Sequence, residues 1–206
     1  MSDDGIARWD ERYAAPDYLF GREPSQFLRR HADLLRPGQR VLAVADGEGR
    51  NGVWLARRGL EVTAVDGSAV ALAKARELAG RNGVAMTVIQ ADLSRWTWPQ
   101  QAFDVVVAIF IQFADPALRT TMFAQMKEAL VPGGLLLLHG YRPEQVDLAT
   151  GGPPHRENMY TTDLLERAFA DFEVVTLEAY NRVIEEGTGH AGMSALIDLV
   201  ARRPAM

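Results

Sequence analysis

Apolar runs of five to seven residues recur along the chain at 41–45, 61–65, 85–90, 103–109 and 134–140. Between them lie segments in which apolar positions repeat with a helical period, and this alternation predicts a parallel sheet flanked by helices. "SAVALAKARELAGRNG" reads as a helix capped by Ser68 and closing near Gly83. "DPALRTTMFAQMKEALVPGG" reads as another, with Asp115 as its cap, Pro116 at the first helical position and Gly133 past its end. Upstream, "EPSQFLRRHADLLRPG" is expected to be a helix stopped by Pro37 and Gly38, preceded by an aromatic stretch, "RYAAPDYLFG", without clear period. Near the end, the helix "TTDLLERAF" is followed by "FEVVTLEAY" and "AGMSALIDLVAR", with only the polar "NRVIEEGTGH" between them. No crossover helix fits there, so these two strands should form an antiparallel hairpin.

The first strand runs into a turn, "VLAVADGEGRNGVWLA", whose Gly47, Gly49 and Gly52 satisfy G-x-G-x-x-G. Glycines there let backbone approach a ligand at a helix N-terminus, where free N–H groups favour a carboxylate or phosphate. Asp66 ends the second strand about 20 residues on, placed either to accept both ribose hydroxyls or to cap the helix near Ser68. A nicotinamide site uses the same strand, turn and helix, but its two halves repeat strand, helix and strand, and neither ends in an antiparallel hairpin. A short-chain hydride enzyme also needs Tyr-x-x-x-Lys. Here Tyr13, Tyr18, Tyr141, Tyr160 and Tyr180 are followed four places on by Asp17, Arg22, Gln145, Leu164 and Ile184.

Composition narrows the partners. With 206 residues, 48% of them hydrophobic, a single domain over 1–206 is expected: an N-terminal lid segment and helix (1–36), then a core (37–206). The net charge is −5 and the arginines are scattered, so no basic stripe is available for a nucleic-acid backbone. The longest apolar run, "VVVAIFI", is too short to span a bilayer, and the opening residues lack the apolar core of a signal peptide. These features predict a soluble cytoplasmic protein that partners neither nucleic acid nor membrane; they leave the oligomeric state open. The absence of cysteine excludes disulfides, thiolate metal sites and a cysteine nucleophile.

Taken in order, "VLAVADGEGRNGVWLA", "VTAVDGS", "IQADL", "FDVVVAIF" and "LVPGGLLLLHGY" resemble the motifs of the class I S-adenosylmethionine-dependent methyltransferases over nearly the whole chain. "YLFGREPSQFL", "GEGRN", "TGGP" and "EEGTGHAG" are most similar to the small-molecule branch around the tellurite-resistance and thiopurine methyltransferases. The resemblance implies an α/β, doubly wound, mostly parallel seven-stranded sheet with an antiparallel last strand. It also implies S-adenosylmethionine as cofactor, S-adenosylhomocysteine as product and a small-molecule acceptor such as a thiol or metalloid oxyanion. By the same resemblance the cofactor meets Asp46, Gly47, Glu48, Gly49, Arg50 and Asn51 in the turn, and Asp66, Gly67 and Ser68 after the second strand. Asp92 and Leu93 would lie at the adenine, and Ile109 and Phe110 in the crevice. Tyr18, Phe20, Gln112, Phe113 and Tyr141 would form the acceptor side. The chain departs from most relatives at Ala43, where an acid is usual, and at Ala45, where glycine is usual. Asp46 or Glu48 is left to hold the methionine amino group, and Arg50 and Asn51 to orient its carboxylate.

Transfer from a sulfonium needs alignment and exclusion of water more than a dedicated base. His31 is expected at the surface. His139 at the end of "LLLLHG", His155 in "GGPPHRENMY", and His190 with Glu186 in "EEGTGHAG" are the catalytic candidates, because a histidine near neutrality suits proton removal from a hydroxyl or amine. A metal site of Glu185, Glu186 and His190 lacks the usual ligand spacing, and none is expected. A non-catalytic S-adenosylmethionine-binding module is the alternative reading, with a nicotinamide-dependent oxidoreductase behind it. The aromatic segment holding Trp9, Tyr13, Tyr18 and Phe20 is expected to act as a lid.

Overall fold

A computed structural model describes residues 3–205, with side chains from Gly5 onward. Met1, Ser2 and Met206, the outermost positions of the expected single domain, lie outside the described residues. Seven strands form one sheet: β1 (Arg40–Val44), β2 (Glu61–Asp66), β3 (Thr87–Gln90), β4 (Phe103–Ile109), β5 (Leu130–Tyr141), β6 (Glu173–Glu186) and β7 (His190–Arg202). Their spatial order is β3-β2-β1-β4-β5-β7-β6. The first five strands pair in parallel, and β7 inserts antiparallel between β5 and β6. This is the doubly wound sheet with an antiparallel last strand that the resemblance implied, and the closing hairpin is the one the short polar connection predicted.

The central strands are apolar on both faces because helices cover both. On one face Leu42, Val44, Val106 and Leu136 pack with Met122, Phe123 and Met126 of α5 (Pro116–Ala129) and with Leu165 of α7 (Thr162–Ala168). On the other, Val41, Val105 and Leu137 pack with Phe27 and Leu28 of α2 (Gln26–Arg30) and Leu55 of α3 (Arg50–Arg57). The N-caps fall where the sequence places them: Ser68 Oγ accepts the Ala71 N–H at the start of α4 (Ala69–Arg81), and Asp115 accepts that of Leu118.

Four expectations are corrected. The N-terminal residues are not aperiodic: α1 spans Asp3–Tyr13, and Ile6, Trp9 and Tyr13 sit three and four apart along it. The helix expected over 23–38 is broken; α2 ends at Arg30 and a single 3-10 turn, Ala32–Leu34, follows. His31 at that break is half-buried and edge-on to Phe27, 4.8 Å between centroids, rather than a surface residue. Finally, "EEGTGH" is not a free loop, because β6 runs on to Glu186 and β7 starts at His190, leaving a turn at 187–189.

Candidate active site

Strand order reverses between β1 and β4, and a crevice opens at their carboxyl ends, where open α/β sheets bind ligands. Two non-glycine residues in the left-handed region make the exits: Ala45 (φ 50) after β1 and Phe110 (φ 56) after β4. Such a backbone is costly for a residue with a Cβ, so the glycine usual at position 45 has a local reason, and its replacement here leaves strain beside the crevice.

The turn beyond Ala45 is held from below by two buried carboxylates. The Gly47 N–H donates to Asp66 Oδ2 at 2.9 Å and the Ser68 N–H to Oδ1 at 2.8 Å, so Asp66 ties the turn to the end of β2. Asp46 accepts the Gly52 N–H, at 3.1 and 3.2 Å, and among the described residues it forms no ion pair. Burial pushes its carboxyl up to about 7. Burial also raises Asp66, against the pull of its two N–H donors.

Acidic and basic side chains of the turn lock distant segments. Glu48 accepts from Lys74 Nζ and from the Leu19 N–H, both at 2.8 Å. Arg50 Nη2 bonds Glu186 at 2.7 Å, and Glu186 also accepts the Gln26 N–H at 2.9 Å. Arg50 Nη1 is buried without a partner, at the edge of the crevice. Asn51 accepts the Ser25 N–H.

Helix α1 roofs the crevice. Ile6 lies over Gly67, Asp10 accepts from Ser68 Oγ, and Trp9 stacks on Tyr13 at 5.5 Å. The Tyr13 hydroxyl sits 2.9 Å from where a Cβ on Gly47 would stand, and the φ of 58 at Gly47 favours glycine there. Burial, and then the charge of Asp66, hold the Tyr13 phenol well above its ordinary pKa. The free space left in the crevice is about 80 Å³.

Next to it lies a chamber of about 570 Å³. Trp9, Phe20, Phe110, Phe113 and His190 border both spaces. His190 is 7% exposed, its ring 4.1 Å from that of Phe110 and 4.4 Å from that of Phe20. Its Nδ1 has no partner, and burial, with Arg50 next, drives its pKa well below the usual value, so the imidazole is neutral. The Tyr141 hydroxyl, on another wall, is also buried without a partner.

Residues 41–134 match the family described as a methyltransferase domain. The glycine/sarcosine N-methyltransferase of Halorhodospira halochloris is 28% identical over 142 residues, 66% of this chain and 48% of its own length. Other curated relatives are named as methyltransferases of ribosomal protein L11 or ribosomal RNA. The chain spans about half the length, or less, of these relatives. Among solved structures, TehB from Haemophilus influenzae superimposes with a TM-score of 0.71 at 17% identity, covering 97% of this chain and 67% of that one. A protein from a study of disulfide-to-thioacetal conversion in echinomycin biosynthesis superimposes with a TM-score of 0.77 at 18% identity, covering 98% and 90%. Residues 41–134 are thus similar to a methyltransferase domain, and the whole chain shares the fold of these solved structures.

The crevice suits S-adenosylmethionine chemically. Arg50 Nη1 is an unpaired donor for a carboxylate, Asp46 a buried acid for an ammonium, and Gly47 a cradle whose backbone favours glycine. About 80 Å³ is too little for a nucleoside.

Of the residues the resemblance pointed to, Asp46, Gly47, Glu48, Arg50, Asn51, Asp66, Gly67, Leu93, Ile109 and Phe110 line the crevice together. Gly49 does not: a Cβ there would meet Ala75 at 2.7 Å, so it serves the packing of α3 against α4. Ser68 caps α4, and Asp92 accepts from Ser94 N–H and Oγ in its own turn. Phe20, Gln112, Phe113, Tyr141, His155 and His190 border the chamber, but Tyr18 is displaced from it. Tyr18 packs with Val53, Leu78 and Ala79, its hydroxyl donating to the Lys74 carbonyl. His139 is also displaced. It lies buried beneath Phe110, its Nδ1 2.6 Å from Asp198, a carboxylate shared with Arg30 and Tyr180. Glu186 is consumed by Arg50 and Gln26, which removes it as a base. Sequence reasoning missed the Asp198 network entirely; a lone acid in the apolar "ALIDLVA" was the available signal.

Proposed function

We propose that this chain transfers a methyl group from S-adenosylmethionine to a small molecule held in the 570 Å³ chamber, and that it sits in the branch around the tellurite-resistance and thiopurine methyltransferases. The observation that carries the reading is the shared wall: the crevice that suits the cofactor and the chamber are bordered by the same five side chains, four of them aromatic. When bound, S-adenosylmethionine supplies a methyl carbon whose bond to cationic sulfur breaks, the electron pair staying with sulfur, as the acceptor's lone pair bonds to that carbon.

The chain's own residues align and exclude. Asp46 and Arg50 meet the ammonium and carboxylate of the methionine end, and Asp66 fixes the turn those residues stand on. Trp9, Phe20, Phe110 and Phe113 keep water from the junction, where proximity supplies much of the acceleration. An acceptor that carries a proton can pass it to neutral His190 at Nδ1, which is buried at the junction and without another partner. A chamber of this size suits a compact organic molecule rather than a folded RNA or protein, although some relatives act on those.

The test is formation of S-adenosylhomocysteine with a panel of thiols, phenols, amines and oxyanions, set beside ribosomal RNA fragments. Turnover confined to small acceptors is expected, with His190→Ala lowering kcat about 100-fold for acceptors that must lose a proton. Methylation of RNA alone would overturn the reading.

A further inference from the structure

Charge is distributed unevenly in the chamber. Arg8 and Arg12 stand one helical turn apart on α1 and both face it, and among the described residues neither guanidinium is bonded to a carboxylate, in a chain with more acids than bases. Arg12 is held in place, 4.3 Å over the Trp9 ring and 5.9 Å from that of Phe20. Asp115 is the acid in the same walls, and its carboxylate is spent capping α5 through the Leu118 N–H at 2.9 Å. The other end is neutral and buried: His190 Nδ1 and Tyr141 Oη lack partners there, and Phe20, Phe110 and Phe113 fill the walls around them. The volume of about 570 Å³ lies in the range of pockets for drug-sized organic ligands, roughly 300–1,000 Å³, so a bare metalloid oxyanion would rattle in it.

We propose that the acceptor is an organic anion, its charged group, a carboxylate in the simplest case, held at the rim by Arg8 and Arg12 while its nucleophilic atom meets His190 and Tyr141 at the floor. The proposal rests on the methyl-transfer reading above and adds the class of acceptor. It gives a role to two arginines that pair with no described carboxylate over an otherwise aromatic chamber. Guanidinium pairs are well suited to an oxyanion, since their N–H groups match its oxygens in geometry as well as charge. The group transferred to stays at the far end, in a water-poor setting where a neutral imidazole can take its proton.

Matched acceptors test it: 4-mercaptobenzoate, 4-hydroxybenzoate and 4-aminobenzoate, each beside its methyl ester, assayed for S-adenosylhomocysteine formation with the full chain. At least one free acid should exceed its ester tenfold in kcat/KM. Arg8→Gln with Arg12→Gln should remove that preference through KM, and Arg8→Lys with Arg12→Lys should restore most of it. Esters used as well as acids, or a preference surviving the double glutamine variant, would overturn the proposal. If no member turns over, saturation-transfer NMR on protein loaded with S-adenosylhomocysteine decides in the same way: tighter acids support it, and equal or absent binding overturns it. Failure to bind S-adenosylhomocysteine in calorimetry is the separate sign that the cofactor reading itself is at fault.

Discussion

Asp46 sits where the cost of burial is most visible. Burial pushes its carboxyl up to about 7, against one backbone donor and the weaker pull of the Arg50 charge. A carboxyl whose folded pKa lies above its unfolded value contributes stability while protonated, in full below the unfolded value near 3.8 and lost as pH rises through 7. Asp46→Asn keeps an acceptor for the Gly52 N–H and removes the buried charge, so it should match the parent at pH 4 and exceed it by roughly 2–4 kcal/mol at pH 8 in denaturant titrations. A difference that does not change with pH would refute this origin. The same buried charge should attract the ammonium of the cofactor, so cofactor affinity is expected to rise between pH 6 and 8 and to lose that slope in Asp46→Asn. Asp66 behaves differently. Because it already accepts two backbone N–H groups, Asp66→Ala should lower both cofactor affinity, at least tenfold, and melting temperature, each charge-assisted bond being worth roughly 1.5–3 kcal/mol. The turn and the acid after the second strand were legible from the G-x-G-x-x-G spacing, whereas most other crevice residues were named only through the family resemblance. Glu48 and Arg50 line the crevice, but their partners were not foreseen, since Lys74 and Glu186 lie far off in sequence and no pattern links them.

At the scale of elements, the chamber depends on how the β6–β7 turn meets the segment between α1 and α2. The Gly189 N–H donates to the Leu19 carbonyl at 3.0 Å, and a Cβ on Gly187 would run into the backbone of Leu19, Phe20 and Gly21. Gly187 also has φ 72, so Gly187→Ala meets strain and a clash at once. It should displace Phe20 and cut methyl transfer more than tenfold, while circular dichroism still reports an intact sheet; full activity would show that the contact does not position Phe20. Tyr13→Ala is the complement on the roof. Removing the ring from over Gly47 should raise the association rate of S-adenosylhomocysteine severalfold, read through Trp9 fluorescence in stopped flow, and raise dissociation as well. The strands were readable because both faces of the sheet are buried, which forces continuous apolar runs. Helix α1 was overlooked because its apolar spacing, Ile6, Trp9 and Tyr13, straddles the start of the aromatic stretch and is diluted by acids and arginines. The end of β6 was hidden by polarity: Glu186 is a buried strand residue only because Arg50, a hundred and thirty-six positions away, pairs with it.

For the whole molecule, the crevice gathers segments from both ends of the chain. Tyr13 and Gly21 come from the N-terminal elements, Asp46 and Asp66 from the first half of the sheet, and His190 from its last strand. The Glu48–Lys74 and Arg50–Glu186 pairs fasten these parts around one site. A ligand that binds there binds only the folded chain, so it stabilises the whole fold by mass action, about 2.7 kcal/mol at a hundred times its Kd. In a domain of 206 residues each kcal/mol shifts Tm by roughly 2–4 °C, so S-adenosylhomocysteine at that level should raise Tm by roughly 5–11 °C. The rise should follow the logarithm of its concentration and vanish with Arg50→Ala, which removes the unpaired Nη1. NADH and NADPH, matched in concentration, should leave Tm unchanged, since nothing in the chain supplies a hydride enzyme's Tyr-x-x-x-Lys pair. A shift with a nicotinamide nucleotide and none with S-adenosylhomocysteine would mean that the crevice between β1 and β4 holds a different cofactor from the one its donors fit.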